Sequence, residues 1–217
     1  MKKAAIFDMD GVLFDTERLY RESWVETAAQ FGQAFLPAFP AAVCGTSGAK
    51  LQAVVREYYP AVDAAAFVEC CMERVRKVLR EQPVPEKPGL HEILTFFRGN
   101  GVKIAVASSS EPSMIESNLR RTGVIDHFDA IVSGVQMPRS KPAPDIFLEA
   151  ARRLGCAPAD CYVFEDGLSG LRAGLAAGCV TVMIPDLTPP TDELRAACAA
   201  ICDSLHAVID AIRVGTI

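Results

Sequence analysis

The opening apolar run, Ala4–Phe7, is four residues long and stops at Asp8. A run of this length closed by turn residues suits a strand buried on both faces of a parallel sheet. From residue 16 the period becomes helical. Tyr20, Trp24, Thr27 and Phe31 recur at helical spacing with Gly32 as a stop, and a loop containing Pro37 and Pro40 is expected after them. Leu51, Val54, Val55 and Tyr58 mark a second helix ended by Pro60, and Val68, Cys71, Val75 and Val78 mark a third. The proline-rich stretch Pro83–Gly89 reads as a stiff linker.

Beyond the linker, helices and strands alternate. A helix over Leu90, Ile93, Leu94 and Phe97 stops near Gly99-Asn100-Gly101, and Val102–Ala107 is a strand running into Ser108-Ser109-Ser110. A helix from Glu111-Pro112 to about Gly123 precedes a short strand, Ala130–Val132. The pattern continues with a helix over Asp145–Leu154, a strand over Cys161–Phe164, a helix through Leu168, Leu171 and Leu175, and a strand over Cys179–Ile184. A further helix, a short strand near Ala200-Ile201 and a last helix from Ser204 complete the tail. Such alternation builds βαβ units, hence a parallel sheet with helices on both faces. The predicted fold is therefore α/β: a doubly wound parallel-sheet core from residues 1–15 and 86–217, with residues 16–85 inserted as an all-helical unit.

Composition narrows the partners. Half of the residues are hydrophobic and 23% are charged, as in a folded protein with one large domain or a core plus a smaller module. A net charge of −5 with no lysine or arginine block disfavours nucleic acid and anionic membrane as partners. No segment approaches the ~18 apolar residues of a membrane span. Met1-Lys2-Lys3 leads only into a short apolar run, so no signal peptide is read and a cytoplasmic location is expected. A monomer is expected, because no heptad pattern or exposed apolar stripe is visible. The eight cysteines (44, 70, 71, 156, 161, 179, 198 and 202) form no Cys-x-x-Cys pair, and the three histidines are scattered, so zinc spacing is absent. They read as small buried hydrophobes in a reducing compartment.

Polar residues follow the predicted strands at one edge of the sheet. The first strand delivers Asp8 and Asp10, two positions apart and so on the same side of extended chain. Crowded carboxylates raise one pKa unless a cation intervenes, so the pair implies either a bound Mg²⁺ or one ionised nucleophile beside a protonated partner. A polar strand-to-turn transition at Gly11 is the bland alternative. The second strand delivers Ser108 and Ser109, the segment after the third Lys141, and the fourth Glu165 and Asp166. In a doubly wound sheet these ends converge on one crevice. Carboxylates, an ammonium and hydroxyl donors suit phosphoryl transfer, which needs clamped oxygens, a positioned nucleophile and a hard cation with oxygen ligands. Singly, Ser108 reads as a helix cap, Lys141 as a solvated loop lysine and Glu165-Asp166 as a polar turn; their coincidence with the aspartate pair favours the catalytic reading. Gly170 and Gly178 read as packing and helix-stop residues, and Thr16 as a hinge or helix-start residue.

Asp8-x-Asp10-Gly11-Val12, Ser108, Lys141-Pro142 and Glu165-Asp166, in this order, resemble the four motifs of the haloacid dehalogenase (HAD) superfamily. The insertion resembles the helical cap of its beta-phosphoglucomutase-like phosphatase branch, and the likeness covers essentially the whole chain. The resemblance implies a Rossmann-like core with a cap at 16–85 and a Mg²⁺-dependent phosphatase of a small phosphorylated metabolite. It implies Asp8 as nucleophile and metal ligand, and Asp10 as general acid and base whose carbonyl binds the metal. Ser108 and Ser109 would hold phosphoryl oxygens, Lys141 would neutralise them, and Asp166 with Glu165 would complete the metal site. Thr16, Tyr20, Thr46, Ser47 and Lys50 are the cap-side candidates, the last three in the loop Gly45–Lys50 expected to face the core.

Two departures bear on the reaction. Beta-phosphoglucomutases carry histidine where this chain has Tyr20 and arginine where it has Gly48. Their loss favours hydrolysis over phosphosugar transfer, with Lys50, Arg18 and Lys77 as the cations available to replace the arginine. Gly167, where many relatives have serine, is expected to change little. A phosphosugar mutase is the alternative activity. Dehalogenation needs no acid such as Asp10, and a receiver-like signalling module needs no helical lid after its first strand.

Overall fold

The computed structural model describes residues 1–43 and 46–217; Cys44 and Gly45, the latter in the loop expected to face the core, lie outside the described residues. Six parallel strands form one sheet: β1 (Ala4–Phe7), β2 (Lys103–Ser108), β3 (Ala130–Ser133), β4 (Cys161–Glu165), β5 (Val180–Met183) and β6 (Ala200–Ile201), in the spatial order β3-β2-β1-β4-β5-β6. The order reverses at β1, between the runs to β3 and to β6, which is where a doubly wound sheet opens its crevice. Alternate residues of β1 serve opposite faces. Phe7 packs with Phe97, Tyr162 and Phe164, whereas Ala4 and Ile6 pack with Phe147, Ala150 and Leu154. Helices α5 (Leu90–Gly99) and α10 (Leu205–Arg213) cover the first face, and α7 (Asp145–Leu154) and α8 (Leu168–Ala176) cover the second. Helices α6 (Pro112–Arg121) and α9 (Asp192–Ala197) complete the α/β part, in agreement with the alternation read from the sequence.

Between β1 and α5 lies the helical segment: α1 (Thr16–Gln30), α2 (Phe39–Val43), α3 (Gly48–Tyr58) and α4 (Ala64–Glu81). Its centre is aromatic. Phe67 stacks on Trp24 with ring centroids 5.8 Å apart, and Phe39 meets both Trp24 and Tyr59 edge-on at 5.1 Å. Helix α2 corrects the expectation of a plain loop around Pro37 and Pro40. Pro40 is its second residue, where a missing N–H costs no helical hydrogen bond, and the fully buried Phe39 anchors the turn from the aromatic cluster.

Two strands of chain join this segment to the sheet and pair with each other. The Asp15 N–H donates to the Pro85 carbonyl at 2.8 Å and the Lys87 N–H to the Leu13 carbonyl at 2.9 Å. Pro85 therefore lies in a two-stranded crossing rather than in a free linker. The seven described cysteines are free thiols, with Cys71, Cys161, Cys179 and Cys202 buried. No described helix is long and apolar enough to cross a membrane.

Candidate active site

Sheet register assembles the site. Phe7 lies opposite Val106 on one side and Phe164 on the other, so the next residue of β1, Asp8, comes level with Ala107 and Glu165. The Asp8 N–H continues the ladder, donating to the Phe164 carbonyl at 2.9 Å. Ser108 ends β2 one step further on. Lys141, between β3 and α7, is 2% exposed and reaches under the sheet edge. Its ammonium donates to Asp8 Oδ1, to Glu165 Oε1 at 2.7 Å and to the Ala107 carbonyl at 3.3 Å, over the face of the Phe147 ring. The other Glu165 oxygen accepts the N–H groups of Asp166 and Gly167, both at 3.0 Å.

Asp10 stands at the head of a tight turn in which the Leu13 N–H returns to the Met9 carbonyl. Its carboxylate is gripped from two sides. Thr16 Oγ1 donates to Oδ1 at 2.5 Å, while Ser110 Oγ donates to Oδ2 at 3.0 Å and Ser108 Oγ more weakly at 3.4 Å. Ser108 thus faces Asp10 and accepts the Ser110 N–H at 3.1 Å; it does not cap α6, which starts from Glu111 without a side-chain cap. Thr16 does begin α1, and its hydroxyl is also an Asp10 ligand.

A cavity of about 380 Å³ opens between these groups and the helical segment. Asp8, Asp10, Ser109, Glu165 and Asp166 line its core side, and Tyr20, Thr46 and Ser47 line the other. Tyr20 closes across it, its hydroxyl 3.5 Å from the Met114 sulfur. Lys50 does not line this cavity; its ammonium donates to the backbone carbonyl of Lys141 at 2.9 Å. Arg18 and Lys77 are absent from the wall as well, Arg18 lying beside Glu22 at 3.5 Å on the outside. The cations present are Arg21 and Arg76, the latter paired with Glu69. Sequence reading passed over these two and Ser110. Arg76 follows Val68 and Met72 along one face of α4, at spacings of four residues, and that stripe was the available signal.

Burial dominates the electrostatics. It pushes the Asp8 carboxyl well above the usual carboxylate range; Lys141 opposes the rise, and Glu165 and Asp10 add to it. Burial, then Glu165 and Asp8, likewise drive Asp166 upward. Asp10 is raised by burial against the hydrogen bonds from Thr16, Ser110 and Ser108. Burial alone would lower the Lys141 ammonium, but Asp8 and Glu165 outweigh it and hold it above the ordinary lysine range.

One ammonium contacts two of three clustered buried acids, and the donor set fits a hard divalent cation. Single oxygens of Asp8, Glu165 and Asp166 lie within 4.8 Å of one another, and buried Asp166 Oδ2 has no hydrogen-bond partner among the described residues.

Two glycines make room for these acids. Gly11 has φ +84° and a Cβ there would stand 2.5 Å from Asp166 Oδ2; at Gly170, in α8, a Cβ would stand 1.6 Å from Glu165 Oε1. Glu165 is held by Lys141 and two backbone N–H groups and has little freedom to retreat. Gly170→Ala is therefore expected to destabilise the fold by about 1–3 kcal/mol, as overpacking does, and to cut turnover by displacing Glu165. Urea unfolding and initial rates check this, and a variant equal to wild type in both would contradict the packing described.

The sequence matches the haloacid dehalogenase-like hydrolase family over residues 2–178. It is 33% identical over 183 residues to a phosphorylated carbohydrates phosphatase of Thermotoga maritima, covering 81% of this chain and 82% of that one. It is 34% identical over 176 residues to the fructose-1-phosphate phosphatase YqaB of Escherichia coli, covering 80% and 91%. The crystal structure of CbbY from Rhodobacter sphaeroides in complex with phosphate superposes with a TM-score of 0.79 at 26% identity, over 94% of this chain and 95% of that one. The chain belongs to the haloacid dehalogenase-like hydrolases. It is an enzyme of that family, in the same branch as phosphatases and beta-phosphoglucomutase-like proteins.

Proposed function

We propose that the enzyme is a Mg²⁺-dependent phosphatase of small phosphorylated metabolites, sugar or polyol phosphates in the first place, working through an aspartyl-phosphate on Asp8. The observation that carries the reading is the position of Asp8. It is buried at the crossover strand between the Lys141 ammonium and Asp166, with Asp10 facing the same cavity. The named activities of the relatives from Thermotoga maritima and Escherichia coli support the substrate class.

The phosphoryl group rests against Ser109 on the cavity wall, with Ser108 and Lys141, which are buried just behind that wall, completing its cradle. An oxygen of Asp8 attacks phosphorus in line with the leaving alcohol, and the bond from phosphorus to the leaving oxygen breaks. Asp10 gives its proton to that oxygen. Burial raises its carboxyl above the ordinary range, the direction an acid needs, against the hydrogen bonds from Thr16, Ser110 and Ser108 that favour the ionised form. Asp10 then takes a proton from the water that attacks the phosphorus of the intermediate, releasing phosphate and restoring Asp8. Asp8, Asp166 and the Asp10 carbonyl would hold Mg²⁺ with Glu165 beside them, and the bound ion would supply positive charge to the phosphoryl oxygens. Lys141 supplies the protein's own share of that charge.

Residues 16–85 act as a cap on the core formed by 1–15 and 86–217, covering the cavity and keeping water from the first step. Tyr20, Thr46 and Ser47 face the leaving group from the cap, and Thr16 holds Asp10 in place. With no charged group at Gly48 and with Tyr20 packed on Met114, release of phosphate is favoured over transfer to a second sugar position.

The test is phosphate release from a panel of sugar, polyol and nucleoside phosphates, phosphoglycolate and pyrophosphate, with Mg²⁺ and with EDTA. Release from sugar or polyol phosphates that EDTA abolishes is expected. Isomerised sugar phosphate with little free phosphate would overturn the reading in favour of a mutase, and release undiminished by EDTA would overturn the metal requirement.

A further inference from the structure

Lys50 is the third residue of α3 and is half-buried, yet it pairs with no carboxylate among the described residues. Its ammonium instead donates to the carbonyl of Lys141 at 2.9 Å, across 91 residues of chain. That acceptor is singular. It belongs to the residue whose side chain lies on Asp8 and Glu165, in the loop between the short 3-10 turn Gly134–Gln136 and α7. Neighbouring turns are closed from within, by the Met137 N–H on Gly134 and the Ala143 N–H on Ser140, but no described backbone N–H serves the Lys141 carbonyl. A shallow groove flanks the contact, with Ser47 and Gly48 on one bank and Arg139 and Ser140 on the other, and the Lys50 side chain bridges it. Arg139, which also lines the groove, is paired with Asp145.

We propose that Lys50 is a positioning residue. By holding the Lys141 carbonyl from the helical segment, it fixes the loop that aims the Lys141 ammonium at Asp8, so that the ammonium is in register only when the segment is seated. The inference rests on the catalytic reading of Asp8 and Lys141 for its kinetic consequence, but not for its structural one. Helix α3 is joined covalently to the sheet through the paired crossings at Asp15 and Pro85, and the Lys50 contact ties it directly to the loop that carries Lys141. Small misplacement of a reacting group is costly: a shift on the order of 1 Å lowers rates by about 10²-fold. Loss of one tether to a loop otherwise packed against Phe147 should cost less.

Lys50→Met keeps the apolar stem and removes the donor, and Lys50→Arg restores a donor. In Lys50→Met, hydrogen exchange of the loop 137–145 is expected to quicken while the amides of β1 and β4 stay as in wild type. With whichever phosphate ester the wild type hydrolyses, kcat is expected to fall about tenfold with KM changed less than about threefold, and Lys50→Arg to recover most of the loss. Unchanged exchange in the loop would overturn the proposal whatever the enzyme's reaction. A rise in KM at unchanged kcat would also overturn it, by making Lys50 a substrate contact. Inactivity of the wild type on every ester would instead defeat the phosphatase reading, leaving the exchange experiment to decide the role of Lys50.

Discussion

Asparagine in place of Asp8 yields a folded protein without measurable phosphate release. The loss expected is on the order of 10⁴-fold or more, the scale seen when the nucleophile of a covalent mechanism is removed. An amide oxygen cannot form the intermediate, whereas it still accepts from the Lys141 ammonium, so the shape of the site survives. The substitution also removes one member of a crowd of buried acids whose mutual repulsion pushes Asp8 and Asp166 upward. Stability should therefore hold or improve slightly. Phosphate assays beside a thermal melt read both effects, and a folded variant with wild-type turnover would end the assignment.

Lys141→Met should damage both stability and activity. Methionine fills the space of the stem over Phe147 but leaves Asp8 and Glu165 buried without the ammonium that each contacts. Removing one partner of a buried ion pair costs about 3–5 kcal/mol, because the remaining charge stays uncompensated. Here one cation serves two acids, which places the expectation toward the top of that range. Urea unfolding without divalent metal measures it, and a variant within about 1 kcal/mol of wild type would mean that the acids are neutralised in another way. Turnover should fall with it, since the same ammonium is the protein's only described cation on Asp8.

The α/β architecture was legible because buried parallel strands are uniformly apolar and their helices amphipathic, so the period change at residue 16 and its reversal after residue 89 stand out. The grouping of Asp8, Lys141, Glu165 and Asp166 was legible for a related reason: strand ends in such a sheet have one place to meet. What stayed hidden depends on loop conformation. Ser108, Ser109 and Ser110 look alike in sequence, and only the turn after β2 decides that Ser110 donates to Asp10. Thr16 reads as a helix start and is one, but its second task at Asp10 arises from the fold of the intervening Gly11 turn. Helix α2 has too few residues to show a period and forms because Phe39 is buried among Trp24, Tyr59 and Phe67. The reach of Lys50 to Lys141 joins two irregular neighbourhoods and leaves no trace in any local pattern.

The central claim is a covalent phosphate on Asp8, and trapping it is the most direct test. Turnover of a good substrate, quenched with borohydride, reduces an aspartyl-phosphate to homoserine, which peptide mapping locates. The account predicts homoserine at position 8, dependent on substrate and missing from Asp8→Asn. Reduction at another aspartate, or none while phosphate is being released, would contradict it.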